Sequence, residues 1–120
     1  MKTAFRGSCL CGSVTFEGAA EPNFVSHCCC LDCRKTSGTG HSTDFGVTLD
    51  EVSLEGTLND FTDLADSGNT ITRRFCPTCG SKITTTNSAY PNDIAINIAM
   101  LVTPDLFQPN TVYYASARIP

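Results

Sequence analysis

A small all-β domain is the fold class this sequence predicts, and three observations predict it. Apolar and β-branched residues alternate in short runs, turn residues punctuate those runs, and helical periodicity is nearly absent. Eight cysteines in three tight groups add the cross-links that would help so small a core.

Each element has its own warrant. Ser13–Glu17 alternates Val14 and Phe16 with polar neighbours and ends at Gly18. Asn23–Cys28 carries Phe24 and Val25 into the middle cysteine cluster. Leu31–Ser37 is the best short helical turn, with Gly38 placed to cap its C-terminus. Ser42–Leu49, with Phe45, Val47 and Leu49 at every second position, reads as a half-buried strand. Ile71–Phe75 begins after the turn signal Ser67-Gly68-Asn69, and Lys82–Thr86 is rich in β-branched residues. Ile94–Ala99 follows Tyr90-Pro91-Asn92, and Thr111–Ser116 follows Gln108-Pro109-Asn110.

The length of 120 residues fits one domain over residues 1–120. A net charge of -4 argues against nucleic-acid binding, which needs a basic footprint. The apolar stretch near Ile94–Val102 is interrupted by Asn97 and is too short to span a bilayer, so no membrane association is expected. Met1–Ser8 lacks the apolar core of a secretory signal, so a cytoplasmic location is expected. In a reducing cytoplasm, C-x-C and C-x-x-C groups read as metal ligands rather than as disulfides.

Cys76-Pro77-Thr78-Cys79-Gly80 is a knuckle whose two thiolates can reach one ion at about 2.3 Å. Cys9-Leu10-Cys11-Gly12 is a second half-site, since residues two apart in an extended chain share a face. Cys9, Cys11, Cys76 and Cys79 together make a closed set of four thiolates suited to a structural Zn²⁺. Two unconnected redox pairs are the competing reading.

The middle cluster, Cys28-Cys29-Cys30-Leu31-Asp32-Cys33, divides differently. Strand alternation puts Cys28 and Cys30 on one face and Cys29 on the other, while Cys33 follows Cys30 at C-x-x-C spacing. Cys28, Cys30 and Cys33 thus form a three-thiolate site with a position free for chemistry. A fourth ligand that closes the site is the competing reading, with His27 and His41 as candidates. Cys29 reads as a small buried apolar side chain, a redox role being the alternative. Asp32 reads as a cap or turn residue.

Three thiolates weaken zinc as a Lewis acid, which disfavours hydroxide-driven hydrolysis and favours a soft sulfur donor from a substrate. A thiol bound there would ionise near neutral pH and act as a nucleophile. Arg34 and Lys35 could offset the charge or grip substrate carboxylates, or simply be solvated surface charges.

Three stretches, Gly7–Gly12, Cys28–Gly38 and Arg74–Ser81, give the chain a resemblance to a known family. It resembles the glutathione-dependent formaldehyde-activating enzyme and centromere protein V family, of Mss4-like fold. The resemblance implies several small antiparallel sheets around a structural zinc on Cys9, Cys11, Cys76 and Cys79, and a catalytic zinc on Cys28, Cys30 and Cys33. It also implies a carbon–sulfur lyase that adds a thiol, glutathione in the named enzyme, to formaldehyde and yields the S-hydroxymethyl adduct. A non-catalytic Mss4-like zinc module that binds a protein partner is the alternative. The chain departs from the family pattern at Cys29, where a histidine is frequent, and at Leu101-Val102, where a Leu-Asp pair is usual.

Overall fold

A computed structural model describes residues 1–119. In chain order the elements are β1 (Thr3–Ser8), β2 (Thr15–Ala20), β3 (Phe24–Cys28), α1 (Leu31–Ser37), β4 (Ser42–Thr48), β5 (Val52–Glu55) and β6 (Asn59–Leu64). β7 (Thr70–Phe75), β8 (Lys82–Asn87), β9 (Asp93–Asn97) and β10 (Thr111–Tyr113) follow. The expected all-β class holds, and the helix occupies the residues expected of it. Gly38 closes that helix in the left-handed region at φ 72°, where a side chain would be strained.

The strands gather into a three-stranded sheet, β1-β2-β5, and a seven-stranded sheet, β10-β3-β4-β9-β8-β7-β6. All pairings are antiparallel except β10 with β3. Three strands lie outside the expected set. β1 and β5 flank β2, and β6 is an edge strand with every residue exposed, so no burial pattern marks it. Two expected strands end early. Ile94–Ala99 stops at Asn97, whose side chain accepts from Ala99 N–H and starts a 3-10 turn, and Thr111–Ser116 stops at Tyr113.

Strand alternation places Phe5, Phe16, Val25, Phe45, Val47, Ile94 and Ile96 in one buried cluster between the sheets. Phe45 packs on Phe5 and Phe107 with ring centroids 5.2 and 5.0 Å apart. The other face of the large sheet is polar and half-buried. There Cys28 stands opposite Ser42, Ser26 opposite Asp44, and Asp44 opposite Asn97.

A bulge shapes this second face. Arg74 pairs with Thr84, and Phe75 pairs with Lys82, which leaves Ile83 unmatched. The extra residue carries Lys82 from the face of Thr84 to the face of Phe75 and Arg73.

Candidate metal centres

Cys9 and Cys11 lie in the turn between β1 and β2, and Cys76 and Cys79 in the turn between β7 and β8. Their convergence comes from turns rather than from the strand alternation expected of Cys9 and Cys11. Gly12 N–H donates to Cys9 O at 3.1 Å, and Gly80 N–H donates to Cys76 O at 2.8 Å, so each pair sits on a hydrogen-bonded knuckle. Gly80 takes φ 79°, which lets the second knuckle close.

The four sulfur atoms all lie within 4.8 Å of one another. Cys11 Sγ is 3.7 Å from both Cys9 Sγ and Cys76 Sγ. Four thiolates around an ion at about 2.3 Å would sit about 3.8 Å apart in a tetrahedron, so the set fits a metal ion of that size. Donors surround the sulfurs. Ser13 Oγ is 3.0 Å from Cys11 Sγ and 3.2 Å from Cys76 Sγ, and Ser81 Oγ is 3.2 Å from Cys79 Sγ. Val14 N–H donates to Cys9 Sγ at 3.3 Å. The Ser81 hydroxyl, with the backbone N–H groups of Ser81 and Cys11, draws the Cys79 thiol down to about 5. The Ser13 hydroxyl and the Cys79 N–H draw Cys76 down to about 7. Lowered thiols favour the ionised form that ligates metal.

The second set gathers where β3 meets α1. Cys28 ends the strand, Cys30 caps the helix by accepting from Cys33 N–H at 3.3 Å, and Cys33 sits in the first turn. Their sulfurs lie within 4.8 Å of one another. Cys30 reaches the site as a helix cap, not as the strand residue that alternation assumed. Cys29 points elsewhere, as expected. It is buried, and its N–H donates to Tyr113 O at 3.0 Å. A hydrogen bond from Cys33 holds the Cys28 thiol below its ordinary range, and the same bond, with burial, pushes Cys33 well above it. The pair thus holds one proton tightly and one loosely.

Among the described residues no fourth His, Cys, Asp or Glu joins Cys28, Cys30 and Cys33. His27 lies on the other face of β3, and His41 just precedes β4. Both approach Thr43 Oγ1 through Nδ1, at 2.7 and 3.1 Å, with their rings 4.3 Å apart. Burial and the neighbouring His41 hold His27 below the usual histidine range. Arg34 is half-buried and its Nε has no hydrogen-bond partner, whereas Lys35 is exposed on the helix.

Sequence reasoning passed over Lys82. Its Nζ donates to Ser42 Oγ at 3.2 Å and to Thr36 Oγ1 at 3.5 Å, which sets a cation beside the Cys28–Cys33 site. Only the bulge turns Lys82 this way, and no periodicity in the chain announces a bulge. A cavity of about 690 Å³ is lined in part by Phe5, Arg6, Gly18, Glu51 and Leu101. It holds no cysteine.

Residues 4–117 match the glutathione-dependent formaldehyde-activating enzyme family. The chain belongs to that family. Its fold is similar to the crystal structure of a Rhodobacter sphaeroides protein, with a TM-score of 0.65 and 23% identity, over 89% of this chain and 98% of that one. No curated protein matches the sequence. Among the described residues no helix is long and apolar enough to cross a membrane.

Proposed function

We propose that this protein is a zinc-dependent carbon–sulfur lyase that joins a small thiol, glutathione or a relative, to formaldehyde or a related aldehyde. This reading rests on the convergence of Cys28, Cys30 and Cys33 with no fourth His, Cys, Asp or Glu beside them among the described residues. A non-catalytic module would be better served by a closed second set. Family membership supports the substrate pair.

In this reading Cys9, Cys11, Cys76 and Cys79 hold a structural zinc, and Cys28, Cys30 and Cys33 hold a catalytic one. When bound by three thiolates, zinc supplies a free soft position that lowers the pKa of an incoming thiol. Cys30, fixed as the helix cap, and Cys28, fixed at the strand end, would hold the ion together with Cys33. Lys82, held by Ser42 and Thr36, offsets the negative charge of the thiolates. Arg34 and Lys35, next to Cys33, are further candidates to hold an anionic substrate.

The substrate sulfur bonds to the aldehyde carbon while the carbonyl π pair moves to oxygen. That oxygen takes up the proton the thiol gave up, and the S-hydroxymethyl adduct leaves. No redox partner is needed. The domain would work as a single unit of residues 1–120 in the reducing cytoplasm, where glutathione is abundant and cysteines stay free.

The test is the exchange rate between glutathione, formaldehyde and their adduct, followed by NMR with and without protein. The proposal expects the protein to accelerate exchange and Cys30→Ser to abolish the acceleration. Equal acceleration by both proteins would contradict it.

A further inference from the structure

The polar face of the large sheet continues beyond the cysteine trio in an ordered way. Cys28 and Ser42 form its first row, and Ser26, Asp44, Asn97 and Lys82 its second. Phe24, Gly46, Ala95, Thr85, Arg73 and Phe61 form the third. The rows step along the strands, so the third lies roughly 13 Å from the first.

Two cations in these rows lack carboxylate partners. The ion pairs among the described residues are Met1–Glu21, Lys2–Glu51 and Arg74–Asp60, and none involves Lys82 or Arg73. Arg73 is only 6% exposed, yet its Nε has no hydrogen-bond partner. A buried guanidinium with an unused donor is costly unless something else accepts from it. Asp44 is the one carboxylate in the rows. Its Oδ2 accepts from Ser42 Oγ at 3.0 Å, and it stands beyond 4.0 Å from both cations. Asp44 feels the charge of both cations but is hydrogen-bonded to neither, so each keeps donors for another carboxylate.

The third row is also shaped. A Cβ on Gly46 would come within 2.1 Å of the Phe24 ring, so Phe24 lies directly across that position and walls the row at β3. Phe61, opposite Arg73 on the edge strand, stands at the other end.

We propose that Lys82 and Arg73 determine specificity by reading carboxylates on the thiol substrate, Lys82 near the sulfur and Arg73 at the far end. This rests on the open-site reading above and narrows its substrate class to thiols bearing carboxylates along an extended chain. A thiol ligated at the cysteine trio would pass Lys82 first and extend across the sheet toward Arg73 on β7. Asp44, on the same face, disfavours a third negative charge on the ligand.

Cobalt loaded into the second set gives a thiolate charge-transfer band that shifts when a thiol ligates, so binding is read without turnover. Glutathione is compared with its diethyl ester, which keeps the thiol and masks both carboxylates. Glutathione should bind at least about tenfold more tightly than the ester, as expected for charge-assisted hydrogen bonds. Arg73→Gln should shrink that ratio while ester binding stays the same, and Lys82→Met should weaken both ligands but glutathione more, so the ratio shrinks there too. A ratio near one in the parent protein, or a ratio kept by both variants, overturns the proposal and leaves the open site standing. No band shift with either thiol overturns the open site itself and the proposal with it. If Arg73→Gln does not fold, Lys82→Met alone decides by the same ratio.

Discussion

The Nζ of Lys82 stands 3.2 Å from the Oγ of Ser42, and Ser42 sits directly opposite Cys28 on the neighbouring strand. Lys82 is also three residues beyond Cys79, at the exit of the second knuckle. One short segment therefore joins the two thiol sets. The knuckle fixes where β8 begins, the bulge at Ile83 turns Lys82 over, and the ammonium arrives beside the trio. Metal at the first set would thus position a cation at the second.

The two sets should respond differently to loss of a sulfur. Cys79→Ser should unfold the protein, because a structural zinc contributes on the order of 10 kcal/mol, as much as a whole domain's stability. Cys30→Ser should leave the β-rich circular dichroism spectrum and the thermal transition largely in place. Unfolding of both variants alike would count against the division of roles.

Acid should empty the sites in order. The Cys79 thiol, held down at about 5, binds its proton weakly, whereas Cys33, pushed up by Cys28 and burial, binds its proton strongly. Cys11 in the first set is also raised and Cys28 in the second lowered, but Cys33 is pushed furthest up, so a proton competes with metal sooner at the second set. On stepping from about pH 8 to about pH 5, with released metal read by a chromogenic chelator, one equivalent should leave before the other. Without metal, the lowered Cys79 stabilises the fold above the ordinary thiol range, and that contribution fades as pH falls toward about 5. A single concerted release of both equivalents would be inconsistent with this account.

Ser13→Ala removes the hydroxyl that approaches Cys11 and Cys76. The ligands remain, so the fold should persist while metal affinity at the first set falls about 10- to 100-fold. Competition with a chelator of known affinity measures this. An unchanged affinity would show that the hydroxyl has no part in holding the thiolates.

Gly7→Ala tests the seam between the sheets. A Cβ there would meet the Met100 carbonyl oxygen at 2.2 Å, and backbone cannot swing aside as a side chain can. Gly7 also bridges to Leu101. The substitution should cost roughly 2 kcal/mol or more and lower the melting temperature by several degrees, with metal content unchanged.

Much of this was legible in the residues, for reasons that can be named. The helix at Leu31–Ser37 was readable because Gly38 marks its end, and the thiol sets because C-x-C and C-x-x-C spacings are set by metal reach. β6 was not, since an edge strand with both faces exposed has no alternation to detect. Ser13 and Lys82 were not, because their importance lies in partners distant in sequence. Lys82 meets Ser42 across 40 positions, and Ser13 meets Cys76 across 63. The ligand sets themselves were assigned by strand alternation, yet Cys9, Cys11 and Cys30 arrive by turns and a cap. Short spacings constrain the sulfurs to one neighbourhood in either geometry.

If the four-thiol set and the three-thiol set each hold one zinc, the second of them open, the metal count follows. Elemental analysis of metal per chain tests it most directly, on the parent protein and on Cys30→Ser. The parent should carry two zinc ions per chain and the variant one, with the fold intact. A single zinc in the parent, or two retained in the variant, would contradict it.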